Sequence, residues 1–384
     1  MPRGDLNLIR DELAKLGRTP SAGDVAEVMR DLGFVVSDAA LGDTVEALRR
    51  ESLGAGPLES LLGMPGVTDV VVNGPDHVFV DRGGGLERAD VRFGSDEDVR
   101  RLAARLAASV GRRLDAGAPF VDARLADGTR LHAILSPLAA PGTCLSLRVP
   151  ATRRFSLADW VANGSLPPVG AELLEALVRG RVAFLVSGGT GTGKTTLLAA
   201  LLGLVPADER LLVVEDSREL DPDHPHCVRL EARAANAEGV GRVTLTDLVR
   251  QALRMRPDRI VLGEVRGAEL CDLLMAFNTG HEGGCGTVHA NSAADVPARL
   301  AALGGLGGWT PEALRAQIAS ALQVVVHITR DAVGGRARRR VEGIHLLEVD
   351  ADQVSTVPAV QFLGDGSVQA GAGLLTLQRL VGTS

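Results

Sequence analysis

The stretch VAFLVSGGTGTGKTTLLAALLGLV (182–205) contains Gly188-x-x-x-x-Gly193-Lys194-Thr195. AFLVS is a short apolar run of the kind a buried parallel strand takes, and TTLLAALLGLV starts a helix directly after the glycines. A strand, a glycine-rich turn and a helix N-terminus in that order form a phosphate cradle. Loop N–H groups and the positive helix end surround a β-phosphate, the lysine reaches the β and γ oxygens, and the threonine hydroxyl is offered to Mg²⁺. The expected nucleotide-binding residues are therefore Gly188, Gly189, Thr190, Gly191, Thr192, Gly193, Lys194, Thr195 and Thr196, with Thr195 on the metal. Lysine is informative in this chain: of 41 basic side chains only Lys15 and Lys194 are lysine, and 39 are arginine.

Further along, ERLLVVEDSREL (209–220) holds an apolar run ending in Glu215 and Asp216, and DRIVLGEVRG (258–267) holds another ending in Gly263-Glu264. Strand C-termini in an open parallel sheet face the ligand crevice, so both carboxylates are expected to point at the nucleotide. A carboxylate beside a γ-phosphate can orient and deprotonate an attacking water, which suits hydrolysis and makes Glu264 the candidate base. In many phosphate-loop enzymes the strand beside the loop ends in an aspartate that holds Mg²⁺ through water; here a glycine followed by a glutamate takes that place. HEGGCGTVHANS (281–292) spaces His281, Cys285 and His289 four apart, but three glycines make a helix costly there, at roughly 1 kcal/mol each relative to alanine. A zinc site is accordingly not expected. CGTVHA reads as a strand with His289 near its ligand-facing end.

The 384 residues, 45% hydrophobic, suffice for two globular domains. No apolar run approaches the ~18 residues of a membrane-spanning helix, and the N-terminus lacks an apolar signal core, so a soluble chain is expected. Four scattered cysteines without a C-x-x-C pair argue against a disulfide framework or a zinc ribbon. A net charge of −7 argues against a protein whose main task is gripping a phosphate backbone. In the first half, VTDVVVNGPDHVFVD carries two strand runs about an Asn-Gly turn, SDEDVRRLAARLAASVGRR a helix capped by Ser95, and VDARLADGTRLHAILSP a hairpin about Asp127-Gly128. These make an α+β domain. A proline pair and a glycine mark ATRRFSLADWVANGSLPP (151–168) as a linker. RARRR (336–340), after Gly334-Gly335, reads as a solvated hairpin end.

The order GGTGTGKTT, VVEDSREL, RPDRIVLGEVRGAE, GTVHANS resembles the secretion ATPase superfamily, and within it the TadA/CpaF-type ATPases of tight-adherence pili and conjugal-transfer-associated ATPases. The resemblance extends over roughly residues 50 to 348, through GPLESLL and PFVDARLADGTRLHAIL in the first half. It implies an α/β fold in which a RecA-like ATPase domain (169–350) follows an α+β N-terminal domain (46–150). A variable helical segment (1–45), the linker (151–168) and a C-terminal tail (351–384) complete the division. The linker would let the N-terminal domain swing over the nucleotide, with Arg148 of LSLR approaching the phosphates; LSLRVP departs there from the family's arginine-lysine-phenylalanine ending.

By the same resemblance ATP and Mg²⁺ are the ligands, with Glu215 holding a metal-bound water. His289 senses the γ-phosphate, with His281 nearer Glu264, and Arg229 and Arg233 are the candidates for a cation supplied to a neighbouring subunit. The implied assembly is a homo-hexamer at the inner face of the cytoplasmic membrane, peripheral to it, acting on membrane-embedded platform proteins without stable nucleic-acid binding. A RecA-like nucleic-acid motor is the main alternative, and a small-molecule P-loop kinase, disfavoured by the large N-terminal domain and Glu264, is the second.

Overall fold

The computed structural model describes residues 8–9, 12–13, 21–37, 40–42, 44–45, 54–150, 154–233, 235, 240–333, 336–350 and 353–382. The chain divides into two compact units, residues 1–151 and 152–384.

The first unit holds α1 (Ala22–Asp31), whose N-terminus is closed by a reciprocal pair in which Ser21 and Asp24 satisfy each other's backbone N–H. It also holds a six-stranded antiparallel sheet, order β3-β2-β1-β6-β5-β4. The strands are β1 (Asp69–Asn73), β2 (Val78–Asp81), β3 (Leu86–Arg88), β4 (Phe120–Arg124), β5 (Arg130–Ile134) and β6 (Cys144–Arg148). Alternation decides which face is buried: Val70 and Val72 of DVVVN, with Leu145 and Leu147 opposite them, are inaccessible to solvent. The helix α2 (Asp96–Ala108), capped by Ser95, contributes Val99, Leu102 and Leu106 to the same core.

The second unit is a nine-stranded sheet, order β15-β14-β13-β12-β7-β11-β10-β8-β9. Its parallel part comprises β7 (Phe184–Gly188), β8 (Leu211–Glu215), β9 (Cys227–Glu231), β10 (Arg259–Val265), β11 (Cys285–His289) and β12 (Val324–Val333). Successive residues point to opposite faces. Phe184, Val186, Leu211 and Val213 join one core, under α3 (Leu157–Ala162), α4 (Pro168–Arg179) and α5 (Lys194–Leu202). Leu185, Leu212, Val214, Ile260 and Leu262 join the other, under α6 (Leu245–Ala252), α7 (Glu269–Phe277), α8 (Val296–Leu306) and α9 (Pro311–Ala321). Burial on both faces explains why these strands read as unbroken apolar runs. Among the described residues no helix is long and apolar enough to cross a membrane.

Two segments differ from expectation. Most of the 151–168 stretch is packed structure: Ser156 and Asp159 close the start of α3, and Leu157, Trp160 and Leu166 are buried in the core beneath β7. The proline pair begins a helix, with Pro167 at the N-cap of α4 and Pro168 in its first turn, where a missing N–H costs nothing. Residues 353–382, within the expected tail, complete the sheet. After β13 (Arg336–Val349) come β14 (Val354–Phe362), β15 (Val368–Ala370) and α10 (Leu374–Val381), and Phe362, Leu377 and Val381 lie in the β7 core.

Candidate functional site

β7 is buried along its whole length and delivers Gly188 to the carboxyl edge of the sheet. A Cβ placed on Gly188 would lie 2.5 Å from the Ile328 carbonyl oxygen and 2.7 Å from Thr192 Oγ1, so no side chain fits there. Gly191 and Gly193 take the left-handed conformation, φ 71° and 96°, and Gly193 caps α5 with no side chain on the first-turn N–H groups. The helix thus presents its positive end unshielded at the loop. Lys194 folds back: Nζ donates to the carbonyl oxygens of Gly188, at 3.0 Å, and Gly189, at 2.8 Å. Burial pulls its pKa down from the ordinary lysine value, while the charge of Glu264 acts in the opposite sense. Thr195 and Thr196 are half-buried on the first turn, and Thr190 is exposed at the loop tip.

β7 lies between β12 and β11, so β10 with Glu264 stands one strand further out than its sequence position suggests, and β8 with Glu215 a further one. The β10–β11 ladder runs Leu262↔Gly286 and then Val265↔Val288, leaving one extra residue on β10. This bulge re-aims the strand end, as bulges near active sites do. It is held by Thr287, whose buried Oγ1 donates to the Gly263 carbonyl at 2.6 Å. Glu264, half-buried, accepts from Arg266 Nη2 at 2.5 Å.

Glu215 lies opposite the bulge and is 3% exposed. A Cβ on Gly263 would sit 2.5 Å from Glu215 Cγ, so glycine is what lets the carboxylate lean across the end of β10. Oε1 accepts from the N–H groups of Glu219 and Leu220, each at 2.9 Å, while Oε2 is buried with no partner. Burial raises the Glu215 pKa above the usual carboxylate value, against those two backbone bonds.

His289 ends β11 in register with Gly188 and is half-buried beside the loop. His281 is not near Glu264. It precedes β11 and so sits at the opposite edge of a parallel sheet, with Nδ1 3.2 Å from the Ala276 carbonyl in the last turn of α7. Cys285 is sealed in the core, its thiol pushed up to about 12 by burial. Among the described residues, no group of three His, Cys, Asp or Glu side chains is placed to hold a metal.

The arginines separate. Arg229 on β9 pairs with Asp221 at 2.9 Å and the Leu220 carbonyl at 3.2 Å. The Arg233 side chain, exposed, donates to the Gly241 carbonyl at 2.7 Å. Arg148, in the first unit, pairs with Asp69 at 2.9 Å. The 336–340 run is not simply solvated. Arg338 donates to the Gly164 carbonyl and Arg340 to Asp331, at 2.6 Å, and to the Phe362 carbonyl.

Sequence reading missed Thr287 and Trp160. A Cβ on Gly193 would meet the Trp160 ring at 3.4 Å, so a residue of the expected linker supports the phosphate loop. Being one of only two tryptophans was its available signal. Also missed was His327, which shares a buried 2.8 Å hydrogen bond with Ser187, the residue before the loop.

Residues 51–359 match the family described as Type II/IV secretion system protein. A Mycobacterium tuberculosis protein named "Putative conjugal transfer protein" is 55% identical over 330 residues, spanning 83% of this chain and 92% of its own. The type IV secretion system protein PtlH of Bordetella pertussis is 33% identical over 314 residues, spanning 75% and 92%. Among solved structures, the pilus retraction motor PilT with bound ADP superposes with a TM-score of 0.54 at 22% identity, covering 75% of this chain and 80% of its own, a likeness of fold.

Proposed function

The chain belongs to the type II/IV secretion system protein family, and on that premise we propose that it is a ring-forming ATPase powering a pilus or secretion machine. What carries this reading is the arrangement of Lys194, His289 and Glu264 at the carboxyl edge of three neighbouring strands, β7, β11 and β10. Lys194 would leave the Gly188 and Gly189 carbonyls and turn to the β and γ oxygens of ATP, joined by the open N–H groups of α5. Glu264, released from Arg266, would orient a water and take its proton as the water oxygen bonds to the γ-phosphorus and the bond to the bridging oxygen breaks. His289, in register with Gly188 at the end of β11, would sense that phosphate.

Magnesium fits the site on two observations: Glu215 Oε2 is a buried oxygen without a partner, and the Thr195 side chain stands on the first turn of α5. Thr195 would ligate the ion and Glu215 would hold one of its waters. Bound there, magnesium would spread the negative charge of the β and γ oxygens.

The reading extends to a homo-hexamer of the TadA/CpaF branch, peripheral at the inner face of the cytoplasmic membrane and acting on membrane-embedded platform proteins. Arg148 would be carried towards the phosphates by the first unit. The name of the 55% identical relative, a putative conjugal transfer protein, supports a machine of the conjugal-transfer kind.

The test is hydrolysis measured beside nucleotide binding and light scattering with ATP and Mg²⁺. Lys194→Ala should abolish turnover in a folded protein. Glu264→Gln should still bind ATP while turnover falls by roughly 10²-fold or more. Normal turnover in Glu264→Gln would remove Glu264 from the role of base. DNA-stimulated, salt-sensitive turnover would point instead to a nucleic-acid motor.

A further inference from the structure

The parallel pairing of β12 with β7 ends at Ile328↔Gly188, yet β12 runs on to Val333 with β13 beside it. This hairpin therefore projects past the sheet edge along the flank of the phosphate loop. Arg330 and Arg339 face each other directly across it. Directly opposed residues share one face of an antiparallel pair, and like charges so placed repel.

Their neighbours are satisfied elsewhere: Arg338 and Arg340 alternate to the other face and bond to Gly164, Asp331 and Phe362. Among the described residues neither the Arg330 nor the Arg339 side chain makes a hydrogen bond or ion pair. Both reach the loop. A Cβ on Gly191 would lie 3.7 Å from Arg330 Nη1, and one on Gly193 would lie 3.5 Å from Arg339 Cδ. Two opposed, unpaired guanidinium groups beside a ring of open backbone N–H groups make a site for a multiply charged anion.

The flank they occupy identifies which part of that anion they meet. β11 and β10, with His289 and Glu264, lie on the opposite side of β7 from β12. A γ-phosphate presented to Glu264 lies on that side, which leaves the β12 side for the rest of the chain of phosphates. We propose that Arg330 and Arg339 clamp the diphosphate portion that ATP and ADP share, so that the β12–β13 hairpin governs nucleotide affinity and release of ADP. This rests on the phosphate loop being the nucleotide site.

Contacts made equally in substrate, transition state and product change affinity without changing the chemical step. The experiment titrates fluorescently labelled ADP and ATP against Arg330→Ala, Arg339→Ala, the double variant and Lys194→Ala, with steady-state hydrolysis and melting temperature on each. The double variant should weaken ADP and ATP alike by at least about tenfold, as expected for losing two charge-assisted hydrogen bonds. KM should rise with it while kcat holds or increases. ADP affinity within twofold of the parent overturns the proposal, and so does a loss confined to ATP, which would place the arginines on the γ-phosphate. If Lys194→Ala loses binding while the arginine variants do not, the clamp fails and the phosphate-loop reading survives. If none of the four loses binding, both fail.

Discussion

Glu215 shows how one side chain can meet conflicting demands. One oxygen anchors the turn at Glu219 and Leu220, the other is sealed without a partner, and burial raises the pKa. The sign follows from linkage. A carboxyl whose folded pKa lies above its unfolded value binds its proton more tightly when folded, so this favours the fold below the unfolded value and is lost as pH rises through the folded one. The ionised form of the group is therefore a liability to the fold. Glu215→Gln keeps an oxygen for the two N–H groups and removes the charge. It should melt at or above the parent temperature at neutral pH, and the gap should close as pH falls towards 4.5, the ordinary glutamate value. If Glu215 also holds a metal-bound water, the same variant should need more Mg²⁺ for half-maximal turnover. Melting curves across pH and a Mg²⁺ titration separate the two roles.

At the scale of the element, the end of β10 is shaped by what its neighbours insert into it. Thr287 holds the Gly263 carbonyl from β11, while Glu215 occupies from β8 the space a Gly263 side chain would need. Gly263→Ala forces Glu215 Cγ away from 2.5 Å, against a side chain held by two backbone bonds in the core. Overpacking of this kind costs about 1–3 kcal/mol. Because the displaced strand end carries Glu264, kcat should fall with the melting temperature, measured by calorimetry and steady-state hydrolysis. A loss of stability with unchanged kcat would show that the bulge does not aim Glu264.

For the whole molecule, the ring proposed above requires one copy to lend a cation to the nucleotide of another. Arg229 is engaged by the charge of Asp221, whereas among the described residues the exposed Arg233 side chain donates to a neutral carbonyl, so Arg233 would lose less on turning to a partner's nucleotide. Arg233→Ala should lower turnover by roughly 10³-fold if it acts in trans, without weakening ADP binding. Mixing it with Lys194→Ala, itself inactive, should then restore activity: about a quarter of the junctions in a randomly mixed closed ring would carry both intact groups. No recovery on mixing, with rings shown to exchange subunits, would place Arg233 in cis or outside catalysis.

The conformation of the glycine-rich loop after β7 is legible in the sequence because its physics is local: Gly188, Gly191 and Gly193 answer steric and backbone demands, and Lys194 follows directly. The strands carrying Glu215, Glu264 and His289 were equally legible, since burial on both faces writes itself as an apolar run. Strand order is not local. That β11 enters between β7 and β10 is set by pairing between strands far apart in sequence, and this order sets the lateral separation of Glu264 and Glu215 from the loop. The same holds for Trp160, read from a proline pair as linker and found packed beneath Gly193. It holds too for Arg330 and Arg339, nine residues apart in sequence and brought face to face only by the register of an antiparallel ladder. Local backbone demands were readable along the chain; contacts between distant segments required the sheet that pairs them.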